Sequence, residues 1–290
     1  TAALAPGLND PAETGHAAET IASALAAGDL SALVLLQADP LATHPDRGGW
    51  LAALERAGLV IAFADFLDEG LAEHADVVFP AEVYAEKEGT VTHPDGRLQR
   101  VRQAVKRPGE VRPQALVLAE LAARIEGCRN ELISTTMVTA AITEAVGIYA
   151  GLTLAEIGGR GVRWQDRNPD ALPDSGLEPV VPGTPPRRPE GLALGTVRSL
   201  WTGRETRHAP ALRFLAPHQR AELSVADGER LGVRSGDEVE VGINGTRVRA
   251  TVALRSGLRP GAVFLIEGTD EHNANVLTNG SPRVVEVRKL

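Results

Sequence analysis

Hydrophobic positions in the first 165 residues fall into short runs separated by stretches of helical spacing. Residues 17–27 form an Ala-rich helical segment with Ile21 and Leu25 on one face, stopped by Gly28. The apolar run 33–36 predicts a buried strand. A helix over 50–57, closed by Gly58, leads to a second strand at 59–63. A short helix at 67–74 then precedes a third strand, 77–79, closed by Pro80. Strand and helix alternating this tightly predict a parallel sheet with right-handed crossovers. Residues 82–87 read as a charged connector. Two short strands, 90–92 and 97–101, meet at His93-Pro94-Asp95-Gly96, where Pro fixes φ and Gly accepts φ > 0. Helices follow at 111–126, with Leu118, Leu121, Ala122 and Ile125 on one face, and at 132–146.

Residues 166–191 hold seven prolines and no periodic apolar pattern, which predicts a linker. Beyond it the period changes to two. Val239, Val241 and Ile243 alternate with polar residues, as do Val248, Ala250, Val252 and Leu254, and Asn244-Gly245 joins the two runs. Asn-Gly between alternating runs is a strong hairpin signal. With strands at 192–201, 263–266 and 284–287, this half predicts a small all-β domain with short helices.

Composition narrows the function classes. At 290 residues the chain has room for two domains. A net charge of −8 with scattered arginines argues against nucleic acid as a partner. The longest apolar run is far below a membrane span, so no direct membrane insertion is expected. Cys128 is the single cysteine, whereas an iron–sulfur cluster takes about four thiolates. No cluster is therefore expected in this chain. The seven histidines show no zinc-binding spacing, and no nucleophile elbow is present. Glu86 and Glu88 flank Lys87 and read as a solvated charge cluster. Gly158-Gly159-Arg160-Gly161 follows a helical run and lacks Lys-Ser/Thr, so it is not a nucleotide P-loop. No catalytic or metal-binding residues emerge.

In an open α/β sheet, ligands sit at the carboxyl ends of the strands. That position falls on the loop at 37–43, which offers Gln37, Asp39 and Thr43.

The stretch ADVVFPAEVYAEKEGTVTHPDGRLQR resembles a segment of the molybdopterin oxidoreductase superfamily. Its EKEGT and DGRLQR pieces are similar to the respiratory complex I branch, the large iron–sulfur subunit of NADH:quinone oxidoreductase. LSVADGERLGVRSGDEVEV and HNANVLTNGSPRVVEVRKL resemble the superfamily's molybdopterin dinucleotide-binding domain. The resemblance implies an α/β domain over 1–165 and a double-psi β-barrel over 192–290. It places Gln37, Asp39, Pro40, Thr43, Thr196, Arg198 and Asn275 around a cofactor pocket, with Gln37 standing where the family has Gly. A Gly there allows close backbone approach, so a side chain at this position is expected to obstruct the site. In the complex I branch the pocket is expected to be vestigial, with iron–sulfur clusters carried by an upstream part. The chain would then play a structural part in NADH-to-quinone electron transfer. It would dock on other hydrophilic-arm subunits at the cytoplasmic face of the membrane. The alternative is the C-terminal half of an active molybdopterin enzyme such as a formate dehydrogenase. In that case Asp39, Thr43, Thr196, Arg198 and Asn275 would bind molybdopterin guanine dinucleotide. A free-standing ligand-binding protein is a third reading.

Overall fold

The computed structural model describes residues 16–146, 149–163, 166 and 190–290. The greater part of the proline-rich linker lies outside the described residues.

The N-terminal unit opens with α1 (Ala18–Ala27), β1 (Ala32–Leu36), α2 (Pro40–Thr43), α3 (Arg47–Arg56), β2 (Leu59–Ala64), α4 (Glu69–His74) and β3 (Val77–Pro80). The three strands pair in parallel in the order β1-β2-β3. Helices α1 and α3 bury Leu25, Trp50, Ala53 and Leu54 against Leu33, Leu35, Val60 and Ala62 on one face. On the other face, Phe63 and Phe79 stack at 5.1 Å beneath Val117 and Leu118. These last two belong to α5 (Gln114–Glu126), which α6 (Thr135–Ala145) follows.

Two expectations are corrected here. β1 is only half buried, with Val34 48% and Leu36 51% exposed, because no described helix covers that end of the sheet. In α5 the buried positions are Val117 and Ala123, while Ala122 is exposed and Ile125 is 85% exposed. The helix lies over Phe63 and Phe79 through Val117, Leu118 and Leu121, so the Ala122/Ile125 stripe turns outward. Several elements also differ in extent: α5 starts at Gln114 rather than 111, α6 at Thr135 rather than 132, α4 at Glu69 rather than 67, and the strand expected over 192–201 ends at Arg198. α3 starts at Arg47 because Asp46 caps it by accepting from the Gly49 N–H, which carries the helix through two glycines. α2 is one turn that the apolar pattern does not show; Asp39 and Pro40 nucleate it.

A second, antiparallel sheet joins β4 (Gly89–Thr92), β5 (Arg97–Val101) and β6 (Val162–Arg163), with α7 (Leu154–Ile157) beside it. Leu98, Tyr149, Leu152 and Ile157 form its core. The Gly158–Gly161 run follows α7, as its sequence context implies.

The C-terminal unit is a closed six-stranded barrel of the expected double-psi type, in the order β10-β8-β11-β7-β12-β9. Its strands are β7 (Leu192–Arg198), β8 (Arg220–Ser224), β9 (Glu238–Ile243), β10 (Thr246–Arg255), β11 (Ala262–Glu267) and β12 (Val284–Lys289). Two helices interrupt them, α8 (Arg204–His208) and α9 (Val225–Leu231). Inward alternation of Val239, Val241, Val248, Ala250 and Val252 fills the barrel with Leu223, Val263 and Leu265. Gly195 stands opposite Phe264, and a Cβ there would lie 2.4 Å from the ring, so the strand pair β7–β11 depends on glycine. Among the described residues no helix is long and apolar enough to cross a membrane.

Candidate functional site

The carboxyl end of β1 and the carboxyl ends of β7 and β11 meet across one seam. Asn275 Nδ2 donates to the Ala42 carbonyl at 3.0 Å, and Thr278 Oγ1 donates to the Pro45 carbonyl at 2.8 Å. Arg198 Nη2 donates to the Thr43 carbonyl at 3.0 Å. A charged cluster continues the seam. Arg204 lies 3.4 Å from Asp65 and 3.3 Å from Asp68, and His208 lies 3.5 Å from Asp68 while stacking on Phe66.

Two adjoining hollows, of about 220 and 280 Å³, open at this seam and share Thr43, Arg198, Glu267 and Asn275 in their walls. Thr196 lines the second. Four of the seven residues expected around a pocket therefore do come together: Thr43, Thr196, Arg198 and Asn275. The other three, Gln37, Asp39 and Pro40, line neither hollow, and Pro40 is buried as the first residue of α2.

Asp39 is buried, and its Oδ1 accepts from the Leu41 and Ala42 N–H groups as the N-cap of α2. Burial raises its carboxyl above the ordinary value, with the two backbone bonds opposing. Gly70 packs directly on this carboxylate; a Cβ there would lie 2.9 Å from either oxygen. With Asp68, Asp39 lines an adjoining hollow of about 650 Å³, which shares Ala42 and Arg207 with the first seam hollow.

Gln37 holds the left-handed conformation, φ +52°, which glycine adopts freely. The expectation that its side chain obstructs the pocket is thereby corrected. Gln37 Nε2 donates to the Glu82 carbonyl at 2.9 Å, and Lys87 Nζ donates to Gln37 Oε1. The side chain thus turns to the 82–87 connector and lines neither seam hollow.

Glu267 is the wall residue that sequence reasoning misses. It ends β11 in register with Arg198, while Leu265 pairs with Thr196. Its Oε1 accepts from Thr196 Oγ1 at 2.5 Å and its Oε2 from Arg198 Nε at 3.0 Å. The signal lies in strand pairing across 69 residues, which no local pattern in the sequence carries.

The donor set, as arranged, does not fit a pyrophosphate. Thr196 and Arg198 already bond Glu267, and Asn275 Nδ2 bonds Ala42. Of the seven expected pocket residues, the one with a buried side-chain atom lacking a partner is Asn275, whose Oδ1 is an acceptor. Among the described residues no cluster of His, Cys, Asp and Glu could hold a metal ion.

Comparison with known proteins agrees with both halves. Residues 1–124 match the family "Molybdopterin oxidoreductase", and residues 192–287 match the "Molydopterin dinucleotide binding domain". The alpha subunit of an NADPH-Fe(3+) oxidoreductase from Geobacter sulfurreducens is 30% identical over 280 residues, covering 96% of this chain and 32% of the relative. A subunit of an NADH-quinone oxidoreductase from Rhizobium meliloti is 28% identical over 292 residues, covering 98% of this chain and 33% of the relative. The alpha subunit of F420-dependent formate dehydrogenase 2 from Methanococcus maripaludis is 26% identical, covering 84% of this chain and 39% of the relative. The chain thus spans roughly a third of the length of these relatives. Acetylene hydratase from Pelobacter acetylenicus shares the fold, with a TM-score of 0.70 at 16% identity, over 94% of this chain and 47% of that one. Two domains matched in this order place the chain in the molybdopterin oxidoreductase superfamily.

Proposed function

We propose that this chain is the structural, cofactor-pocket-like part of a larger electron-transferring subunit of the complex I type. It supports NADH-to-quinone electron transfer without carrying a redox centre. The observation that carries this reading is the Thr196–Glu267–Arg198 network, in which an internal carboxylate uses the donors a phosphate would need. Support comes from two relatives, subunits of an NADPH-Fe(3+) oxidoreductase and of an NADH-quinone oxidoreductase, similar over nearly the whole chain. Cys128 alone offers too few thiolates for a cluster, so the clusters belong to the remaining length of such a subunit. The partners of this reading are other hydrophilic-arm subunits, at the cytoplasmic face of the membrane.

One observation favours a second reading, the C-terminal part of a formate dehydrogenase-like enzyme holding molybdopterin guanine dinucleotide. Asn275 Oδ1 is buried without a partner, and a ligand N–H would satisfy it. Calorimetry with GDP and with the extracted pterin dinucleotide separates the two, alongside metal analysis of anaerobically purified chain. The structural reading expects colourless, iron-free protein and no binding heat. Low-micromolar binding that disappears in Arg198→Ala would overturn it in favour of the second.

A further inference from the structure

We infer that Glu267 is the specificity-determining residue of the seam cleft, an internal anion that keeps polyphosphates out. The inference rests on the structural reading above and names the side chain responsible.

The placement follows from topology. β7 and β11 are parallel neighbours, and their shared register sets Thr196 beside Leu265 and Arg198 beside Glu267. Thr196 and Arg198 are two residues apart on one strand, so their side chains leave the same face of the sheet. Glu267, in register with Arg198, leaves that face too and reaches both. Its two oxygens take one bond each, from Thr196 Oγ1 at 2.5 Å and Arg198 Nε at 3.0 Å. The guanidinium completes the span by bonding the Thr43 carbonyl across the seam.

A phosphate bound by Arg198 would use the same planar fork and the same hydroxyl. It would have to displace a carboxylate tethered in place, whose effective concentration a dilute ligand does not match. It would also meet the Glu267 charge directly. The wall's other cations, Arg204 and Arg207, already have their charges balanced by aspartates, although Arg204 Nη1 and Arg207 Nε make no hydrogen bond. Arg204 is matched with Asp65 and Asp68, Arg207 lies 3.4 Å from Asp270, and Glu205 adds a further negative charge. The unpartnered Asn275 Oδ1 is an acceptor and has nothing to give a phosphate oxygen.

The test is calorimetric titration of inorganic pyrophosphate into the full chain, at fixed ionic strength. Wild type, Glu267→Gln, Glu267→Ala and the double variant Glu267→Gln/Arg198→Ala are compared, with thermal melts to show that each is folded. Wild type should bind weakly or not at all. Both single variants should bind at least about tenfold tighter, because removing one unit charge a few ångströms from a multivalent anion is worth on the order of that factor even in a water-like medium. The double variant should return to the wild-type response. No gain in folded Glu267→Gln and Glu267→Ala would overturn the inference and leave the structural reading standing. A gain that survives in the double variant would overturn it as well, since Arg198 would not be the group released. Tight binding by wild type would overturn both.

Discussion

The turn at Asn244-Gly245 offers a perturbation whose cost can be worked out in advance. Asn244 has φ +50° and Gly245 φ +88°, the pair of positive angles a type I′ turn requires. The turn closes β9 onto β10 from the Thr246–Ile243 pair onward, and β9 also pairs with β12. A Cβ added at Gly245 would meet nothing within 4 Å, so substitution there tests backbone strain with no steric clash. An L-residue in the left-handed region costs about 1–2 kcal/mol, and a β-branched side chain sits at the upper end or beyond. Against this, replacing glycine reduces the freedom of the unfolded chain, returning about 0.4–1 kcal/mol. Strain is the larger quantity, so Gly245→Val should destabilise the barrel by about 1–2 kcal/mol net.

Thermal unfolding followed by near-ultraviolet circular dichroism reads this directly. For a unit of the barrel's size each 1 kcal/mol moves the midpoint by roughly 4–8 °C. Gly245→Asn is the control, because Asn tolerates the left-handed region; its loss should be less than half that of the valine variant. An unchanged midpoint for Gly245→Val would refute the turn assignment. Equal losses for Asn and Val would refute backbone strain as the cause.

Three further outcomes follow from the same structure. Asp39→Asn keeps a capping oxygen and removes a buried charge, so at pH 7 it should be neutral or stabilising by urea denaturation. Because burial raises the folded-state carboxyl above its unfolded value, wild type regains stability as pH falls through that raised value toward about 3.8. The advantage of Asp39→Asn should therefore shrink over that window. Asp227 behaves oppositely. Burial raises it, but Arg230, the Gly261 N–H and Ser224 together hold it below the usual range. Its contribution is present above the unfolded value and lost as pH falls through the lowered one. Asp227→Asn should cost about 1–3 kcal/mol at pH 7 and progressively less in acid. Gln37→Gly relieves about 1–2 kcal/mol of left-handed strain. It gives up the bonds to Glu82 and Lys87, about 0.5–1.5 kcal/mol each, and adds about 0.5–1 kcal/mol of chain entropy. The losses prevail narrowly, so chemical denaturation should show a small destabilisation, and a clear stabilisation would refute that balance.

Much of the fold is legible because local and tertiary preferences agree. Asn244-Gly245 needs no distant partner to declare itself, and the alternation of Val239 to Leu254 fixes which face turns inward. Legibility fails where burial depends on what lies over an element. Val34 and Leu36 are as apolar as Leu33 and Leu35, yet only the latter pair meets α1 and α3. Along α5, Leu121 and Ile125 look equivalent in helical period. The sheet beneath the helix extends under one and not the other.

The cleft separates two kinds of inference. Of the four residues that meet in the cleft, Thr43 is legible from its strand-end loop, while Thr196, Arg198 and Asn275 come from the family resemblance; topology holds all four together once the sheet and barrel form. The family resemblance points to Gln37 as the reason the cleft disfavours a phosphate, since a side chain stands where the family has glycine. Yet its backbone keeps the left-handed angle glycine would supply, and its side chain is tied to the 82–87 connector. A substitution visible in one loop therefore changes the pocket little. Glu267 looks locally like any polar residue closing an apolar strand, and it becomes the counter-charge of Arg198 only when β7 and β11 pair in register. A missing glycine can be read against a family pattern one residue at a time. A neutralised arginine belongs to two strands at once, so it becomes visible only when both are in place.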